Sequence, residues 1–289
     1  MKRLTPAKLL VDTGDPHEAQ VVQEALLSAG FSGLDGATTN PSYFAKNPAV
    51  QEKIARGEKF SEQDLLKAYQ ETVRELARII PGGDISVEVY ADTHTTADEM
   101  VVQAEMMNSW IPSARIKLPI VEEGLKAAEK LKSKVRLNMT LCFSQQQAAA
   151  VYAATKGATE PVFISPFIGR FEDRGENGVE LVGNIVKMLR ETDGHVKVLA
   201  ASFRTLDSIY EANRVGADVI TINSQRFKLW EENGWEVPGK EFVYNFKGAS
   251  IPYERVAGGK SWHEYNIKHG LTDSGLQKFI DDWNALLKK

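Results

Sequence analysis

The sequence has little of what marks secreted, membrane-spanning or nucleic-acid-binding proteins. Its single cysteine, Cys142, cannot form an internal disulfide, so we expect a protein of the reducing cytoplasm. No apolar run approaches the roughly 18 residues of a membrane span, and none follows the basic Lys2-Arg3, so we expect neither membrane contact nor a signal peptide. The net charge of −4 lacks the basic excess typical of nucleic-acid binders, so we expect no nucleic-acid partner.

Metal-ligand spacing and nucleotide-binding glycine patterns are also missing. The 5 histidines are scattered along the chain, and none stands at the spacing of a metal site. No Gly-x-Gly-x-x-Gly follows the first apolar run, which argues against a dinucleotide cofactor. We therefore predict no metal centre.

What the sequence does contain is a repeat of short apolar runs that alternate with helical stretches. The stretches, such as Leu206–Val215, have apolar residues spaced near i, i+3 and i+4. Eight runs in this alternation predict an α/β fold, a (β/α)8 TIM barrel; the alternative is an open, doubly wound sheet. The predicted strands are Leu9–Asp12, Gly36–Asn40, Ile85–Tyr90, Ala114–Leu118, Val135–Cys142, Val162–Phe167, Lys197–Ser202 and Asp218–Asn223.

Two regions exceed what the repeat needs. The gap between the second and third predicted strands holds two predicted helices, Pro48–Ala55 and Ser61–Ile80. The last predicted strand is followed by a long tail, with a strand-like segment at Val243–Phe246 and a helix near Ser274–Leu287.

The tail sets the predicted organisation of the chain. We expect residues 1–223 to form the barrel that carries the active site, and residues 224–289 to be a C-terminal extension of the same domain. Four of the five tryptophans lie in this extension, so we expect it to pack on the barrel or on a neighbouring subunit. The second arrangement predicts a homo-oligomer.

Polar side chains stand in or just after nearly every predicted strand. Active sites of (β/α)8 barrels lie at the C-terminal ends of the strands. Burying a carboxylate or an amine inside a barrel costs free energy unless the group is paired or functional. The convergence of such groups from several strands therefore indicates a functional site. In chain order they are Asp12; Thr39, Asn40 and Ser42; Glu88; Lys117; Asn138 and Thr140; Ser165 and Arg170, with Phe167 between them; Ser202 and Arg204; and Thr221 and Asn223.

The lysine in this set, Lys117, is a candidate Schiff-base nucleophile. Burial disfavours its charged form, which leaves the free amine to attack a ketone or aldehyde. Glu88 and Thr140 could hold a water that shuttles protons during imine formation. Asp12 could take the proton from the sugar hydroxyl whose loss opens the C–C bond.

The remaining polar residues suit a hydroxylated anion. Asn40 and Asn138 can bind substrate hydroxyls without adding charge. Arg170 and Arg204, with Ser202, can hold a phosphate or a similar anion.

Five short motifs, spread over roughly residues 9–223, together resemble those of the transaldolase family and stand in the family's order. Each motif alone is weak, but five in register are very specific. The motifs are Gly36-Ala37-Thr38-Thr39-Asn40-Pro41-Ser42, Ile116-Lys117-Leu118-Pro119, Asn138-Met139-Thr140-Leu141-Cys142-Phe143-Ser144, Ser165-Pro166-Phe167-Ile168-Gly169-Arg170 and Ala200-Ala201-Ser202-Phe203-Arg204.

The resemblance implies a class I Schiff-base mechanism on a barrel, with no metal or organic cofactor. By motif, Lys117 would form the imine, Asp12 would be the acid and base at the cleaved bond, and Glu88 and Thr140 would position the catalytic water. The implied substrate-binding residues are Asn40, Asn138 and Ser165 for the dihydroxyacetone unit, Arg170, Ser202 and Arg204 for the phosphate, and also Ser42 and Phe167.

The implied reaction is the transfer of a dihydroxyacetone unit between sugar phosphates in carbohydrate metabolism, as in the pentose phosphate pathway. The donor would be sedoheptulose 7-phosphate or fructose 6-phosphate, and an aldose phosphate would accept the unit.

Three alternatives remain open. Related fructose-6-phosphate aldolases have a glutamine where this chain has Glu88 and a tyrosine where it has Phe167. That tyrosine can protonate the bound carbanion, so Phe167 favours transfer over simple cleavage. A sulfonated sugar, 6-deoxy-6-sulfofructose, is also a substrate that two arginines could hold. The third alternative is a barrel that binds sugar phosphates without catalysis, which the intact set of polar residues argues against.

Overall fold

The computed structural model describes residues 1–288 and contains a closed barrel of eight parallel strands in chain order, each hydrogen-bonded to the next and β1 to β8. The predicted (β/α)8 barrel is therefore confirmed, and each predicted strand overlaps an observed one. The strands are β1 Lys8–Asp12, β2 Gly36–Thr38, β3 Asp84–Glu88, β4 Ala114–Pro119, β5 Leu137–Cys142, β6 Val162–Pro166, β7 Val196–Ala200 and β8 Val219–Ile222.

Helices surround the barrel and cover its outer face, as the buried stripe of each amphipathic helix requires. None of the helices in residues 1–288 is long and apolar enough to cross a membrane. The helices are α1 Pro16–Ser28, α2 Pro41–Phe44, α3 Pro48–Ala55, α4 Glu62–Ile79, α5 Ala97–Asn108, α6 Glu122–Leu131, α7 Gln145–Ala154, α8 Ile168–Glu172, α9 Gly178–Leu189, α10 Leu206–Val215, α11 Ser224–Glu232 and α12 Gly270–Asn284.

The strand expected at Val243–Phe246 is wrong, because these residues form no regular structure. A closed barrel leaves no free edge on which a further strand could pair, and Val243 is 79% exposed. The short helices α2 and α8 were not predicted, since four or five residues are too few to show a helical period.

A charged cluster closes the N-terminal end of the barrel. Asp84 Oδ1 accepts hydrogen bonds from Arg115 Nη2 at 3.1 Å and from Arg136 Nη1 at 2.9 Å. The Arg115 guanidinium also stacks 3.7 Å from the centre of the Phe163 ring. Ion pairs therefore occupy the N-terminal end of the barrel, and we look for the active site at the C-terminal end.

The C-terminal extension runs back across the barrel. Helix α11 packs between α1 and α10, which is the place of an eighth outer helix. The chain then crosses α9 and α7, where Asn184 donates a hydrogen bond to the Ile251 carbonyl and Gln145 donates one to the Glu254 carbonyl. Helix α12 finally lies over the C-terminal ends of the strands, against α2 and β5.

The β2–β3 ladder leaves no room for a side chain at Gly36, since a Cβ there would lie 2.0 Å from the Asp84 carbonyl oxygen. We expect Gly36→Ala to lower the free energy of unfolding by about 2–3 kcal/mol or more, because the strands must separate to admit the methyl group. Gly258→Ala is the matched control, since no atom lies within 4 Å of a Cβ built there. Urea unfolding of both variants checks this, and equal stability would contradict the ladder geometry.

Candidate active site

The amine of Lys117 lies inside the barrel, on β4, and is held by two neighbouring strands. Its Nζ is 2.9 Å from Glu88 Oε2 on β3, and it donates a 2.9 Å hydrogen bond to the carbonyl oxygen of Thr39, just after β2. The Lys117 and Glu88 side chains are only 4% and 3% exposed. Strand register accounts for the pairing, because Glu88 and Lys117 are direct partners in the β3–β4 ladder.

Two carboxyl groups flank this amine. Burial raises the pKa of Glu88, although the Lys117 ammonium and its hydrogen bond act in the opposite direction. Burial likewise raises the pKa of Asp12 on β1, against the opposing effects of Lys117 and of the 2.7 Å hydrogen bond from Thr38. Carboxyl groups whose pKa values are raised are suited to take up and return protons near neutral pH.

An amide and two hydroxyls continue the site around the barrel wall. Asn138 on β5 is the ladder partner of Lys117, and its Nδ2 donates to Ser86 Oγ at 3.1 Å. Ser165 Oγ on β6 donates to Asn138 Oδ1 at 2.6 Å. Thr140 Oγ1 is buried and has no hydrogen-bond partner among the described residues. It is thus available to a substrate or a water molecule.

Two arginines stand beyond the ends of β6 and β7. Arg204 forms a bidentate ion pair with Asp173, with N···O distances of 2.9 and 2.7 Å, and its Nη1 lies 3.2 Å from Ser202 Oγ. Gly169 makes space for this guanidinium, because a Cβ there would lie 2.4 Å from Arg204 Nη1. Arg170 is the next residue after Gly169 in α8. Both arginines therefore lie beside the backbone at the start of α8.

Ser202 adopts a left-handed backbone conformation, with φ of 66°. A serine rarely occupies this region, and such conformations cluster at functional sites. Its carbonyl accepts hydrogen bonds from the amide of Gly169 at 2.8 Å and from Arg204 Nη1 at 3.3 Å. The turn thereby fixes the position of Arg204.

Three further predicted site residues have structural partners. Asn40 caps α2, where its Oδ1 accepts from the amide of Tyr43 at 2.9 Å. Ser42, on α2, donates a hydrogen bond to Asp282 of α12 rather than pointing free into the barrel. The Phe167 ring lies edge-on to Phe143, with centroids 6.0 Å apart.

Helix α12 forms a roof over part of the barrel mouth. Leu276, Phe279 and Ile280 line a small cavity together with Glu88 and Pro41. Thr272 Oγ1 donates a 3.0 Å hydrogen bond to the Leu141 carbonyl at the end of β5. The roof keeps the Lys117–Glu88 pair away from bulk water, which strengthens the electrostatic interactions below it.

Sequence reasoning missed several groups that shape the site. Neither the Thr39 carbonyl as a partner of Lys117 nor Asp173 as a partner of Arg204 was predicted, and Tyr69 on α4 was not among the predicted site residues. The sequence carried no local signal for Asp173, because its partner Arg204 lies 31 residues further along the chain. A backbone carbonyl and a tyrosine on a distant helix give no sequence signal.

Fold and site together define a class of protein: a parallel (β/α)8-barrel enzyme with a buried lysine between carboxyl groups at the C-terminal ends of its strands. Comparison with known proteins gives the particular family. The family model described as "Transaldolase/Fructose-6-phosphate aldolase" matches residues 9–289, and the chain belongs to this family.

Individual relatives agree with this assignment. A "probable transaldolase" from Brucella ovis is 33% identical over 277 residues, covering 96% of each chain. A "probable transaldolase" from Thermus thermophilus is 33% identical over 280 residues, covering 96% of this chain and 99% of the relative. The protein is therefore an enzyme, a transferase. Among solved structures, the metallated homocysteine methyltransferase MmuM from Escherichia coli is similar at 12% identity and a TM-score of 0.49, covering 78% of this chain and 96% of that chain, and supports no further argument.

The raised pKa of Asp12 gives a testable consequence for stability. A raised folded-state pKa means that stability is complete below the ordinary value of 3.8 and is lost as the pH rises through the folded-state value. Asp12→Asn mimics the uncharged carboxyl, so we expect it to increase the free energy of unfolding at pH 8. The increase should vanish as the pH falls toward 4 and the wild-type carboxyl becomes protonated.

Denaturant unfolding across this pH range measures the effect. Asp64→Asn is the control of opposite sign, because the hydrogen bond from Ser61 lowers the pKa of that carboxyl. We expect it to decrease stability at pH 8. A decrease in stability for Asp12→Asn at pH 8 would contradict the assigned environment of Asp12.

Proposed function

We propose that the protein is a transaldolase, which transfers a dihydroxyacetone unit from a ketose phosphate to an aldose phosphate through a Schiff base on Lys117. The observation that carries the proposal is the buried amine of Lys117, which has Glu88 and the Thr39 carbonyl as its partners. A buried amine that is held in one orientation by two hydrogen-bonding partners is suited to attack a carbonyl carbon. The donors proposed are sedoheptulose 7-phosphate and fructose 6-phosphate.

The first half of the reaction forms the imine. Lys117 Nζ attacks the C2 carbonyl of the ketose, and the carbinolamine loses water to give an iminium ion. The proton shuttle in this proposal is a water held by Glu88 and by Thr140 Oγ1, which hydrogen-bonds to none of the described residues. Asn40, Asn138 and Ser165 bind the hydroxyls of the three-carbon unit.

The second half breaks one C–C bond and makes another. Asp12 takes the proton of the C4 hydroxyl, the C3–C4 bond breaks, and its electron pair passes into the enamine while the aldose leaves. The acceptor aldehyde then receives this electron pair, and Asp12 returns the proton to the new hydroxyl. Hydrolysis of the imine releases the new ketose and restores the free amine of Lys117. General acid–base catalysis of this kind contributes about 100-fold or more.

The fate of the enamine distinguishes a transaldolase from an aldolase. Phe167 has no proton to give, and its ring packs against Phe143, which keeps this part of the wall apolar. The enamine therefore waits for an acceptor aldehyde. Free dihydroxyacetone released from fructose 6-phosphate without any acceptor would favour the aldolase alternative.

The location and assembly of the enzyme are parts of the same proposal. The chain has one cysteine, Cys142, which is buried and cannot form an internal disulfide, and this supports a cytoplasmic location. A homo-oligomer is part of the proposal because Val102 and Met106, at 69% and 38% exposure, lie one turn apart on α5 and form an exposed apolar strip that a second copy could cover. Light scattering at micromolar concentration tests this, and a monomer would contradict it.

The Schiff base can be trapped directly. We expect intact-protein mass spectrometry after incubation with fructose 6-phosphate and sodium borohydride to show a reduced three-carbon adduct on the wild-type protein. Lys117→Ala should give no adduct, because Lys117 supplies the buried amine beside Glu88. An adduct on Lys117→Ala would contradict the assignment of the nucleophile.

A wild-type protein without adduct would be tested next with sedoheptulose 7-phosphate and 6-deoxy-6-sulfofructose. Trapping only with the sulfonate would identify a sulfosugar transaldolase. No adduct with any of the three donors would favour a barrel that binds sugars without catalysis.

Arg204 should act on the charged end of the substrate alone. We expect Arg204→Ala to raise KM for phosphorylated substrates roughly tenfold or more, since hydrogen bonds to charged groups contribute about 1.5–3 kcal/mol. The KM for unphosphorylated fructose as donor, with unphosphorylated glyceraldehyde as acceptor, should stay within about twofold. Arg214→Ala is the matched control, since that arginine pairs with Glu211 on α10, away from the barrel mouth. Equal effects on both substrates would argue against an anion site at Arg204.

A further inference from the structure

The amide of Glu88 departs from the hydrogen-bond pattern of its sheet. In the parallel β2–β3 ladder, the Thr39 amide donates to the Ser86 carbonyl at 3.0 Å. The next bond of a regular parallel ladder would run from the Glu88 amide to the Thr39 carbonyl. Instead, the Glu88 amide donates to the hydroxyl of Tyr69 at 2.9 Å, and the Thr39 carbonyl accepts from Lys117 Nζ at 2.9 Å.

Tyr69 reaches this point from outside the barrel. It lies on α4, is only 2% exposed, and its hydroxyl stands against the outer side of the ends of β2 and β3. The hydroxyl is also hydrogen-bonded to Thr39 Oγ1, and Thr39 Oγ1 donates to the Ser86 carbonyl at 2.9 Å. The bonds form one directed series from the Glu88 amide, through two hydroxyls, to the Ser86 carbonyl.

The ring of Tyr69 is fixed by other aromatic side chains. Its centroid lies 5.0 Å from that of Phe44, 5.7 Å from that of Trp110 and 5.8 Å from that of Trp283. Trp283 belongs to α12, the roof of the site. The hydroxyl therefore has one position, set by helices on both sides of it.

We propose that Tyr69 is a positioning residue for the Schiff-base lysine: its hydroxyl takes the Glu88 amide out of the ladder and so frees the Thr39 carbonyl to orient the Lys117 amine. Tyr69 touches no substrate and acts through Thr39 and Glu88, the two groups that hold Lys117. Without the hydroxyl, the Glu88 amide would turn to the Thr39 carbonyl, which is the acceptor nearest in the ladder. Lys117 would then lose one partner, and Glu88 would move with its backbone.

Tyr69→Phe tests the proposal because it removes one oxygen and keeps the packed ring. The inference rests on the proposed Schiff-base function, so the first readout is the trapping of fructose 6-phosphate with borohydride. We expect the rate of adduct formation to fall roughly tenfold, the KM for the donor to stay within about twofold, and the final amplitude to remain one adduct per chain. A loss of amplitude without a loss of rate would indicate a merely structural role and would overturn the proposal.

The second readout does not depend on any sugar. Reductive methylation with formaldehyde and cyanoborohydride, followed by peptide mass spectrometry, compares Lys117 with the exposed Lys67 on the same helix as Tyr69. We expect Tyr69→Phe to raise the relative labelling of Lys117 at least about threefold, since its amine has lost a hydrogen-bond acceptor. This readout holds even if the wild-type protein forms no sugar adduct, so failure of the proposed function and failure of this inference give different results.

Two variants complete the design. Tyr152→Phe is the matched control, because Tyr152 packs on the His195 ring, just before β7 at the other end of the barrel. It should change neither readout. If Tyr69→Phe does not fold, Thr39→Val is used in its place. We expect it to lower the rate of adduct formation and to raise the labelling of Lys117, each by less than the values given for Tyr69→Phe. Wild-type values in both readouts for a folded variant would overturn the proposal.

Discussion

The candidate active site is arranged around a buried ion pair between the amine of Lys117 and the carboxyl group of Glu88, inside the barrel. Charges removed from water are tolerated only when their partners are placed accurately. The parallel register supplies that accuracy, because it sets Glu88, Lys117 and Asn138 side by side on three consecutive strands. The rest of the molecule encloses the pair: outer helices support the strands, and α12 excludes water from above.

Buried polar and charged groups have different environments at the two ends of the barrel. At the N-terminal end, the carboxylate of Asp84 is neutralised by two arginines, which hydrogen-bond to it at 3.1 and 2.9 Å. At the C-terminal end, Thr140 Oγ1 has no hydrogen-bond partner within residues 1–288, and burial raises the pKa values of Asp12 and Glu88. Polar groups that are buried and incompletely satisfied lower stability, and proteins retain them where chemistry needs them.

Much of this could be read from the sequence, for identifiable reasons. Apolar runs separated by helical stretches predicted all eight strands, and side-chain alternation placed Asn138 and Thr140 on the inner face of β5. Three features could not be predicted from the sequence: the irregular backbone of Val243–Phe246, the hydrogen bond from Ser42 to Asp282, and the position of the Thr39 carbonyl beside Lys117. Each depends on contacts between residues far apart in the chain, and local patterns do not encode such contacts.

The way in which α12 closes the site also has a consequence for how the molecule is built. The helix is joined to the barrel by contacts that span the chain, such as the bond between Ser42 and Asp282, 240 residues apart, and the pairing of Phe60 with Leu287. Contacts of such long range form late in folding, because closing so large a loop is entropically costly. During synthesis on a ribosome, the barrel can therefore assemble while its mouth is still open. The enclosed environment of the lysine arises only when α12 docks, so completion of the active site follows assembly of the barrel.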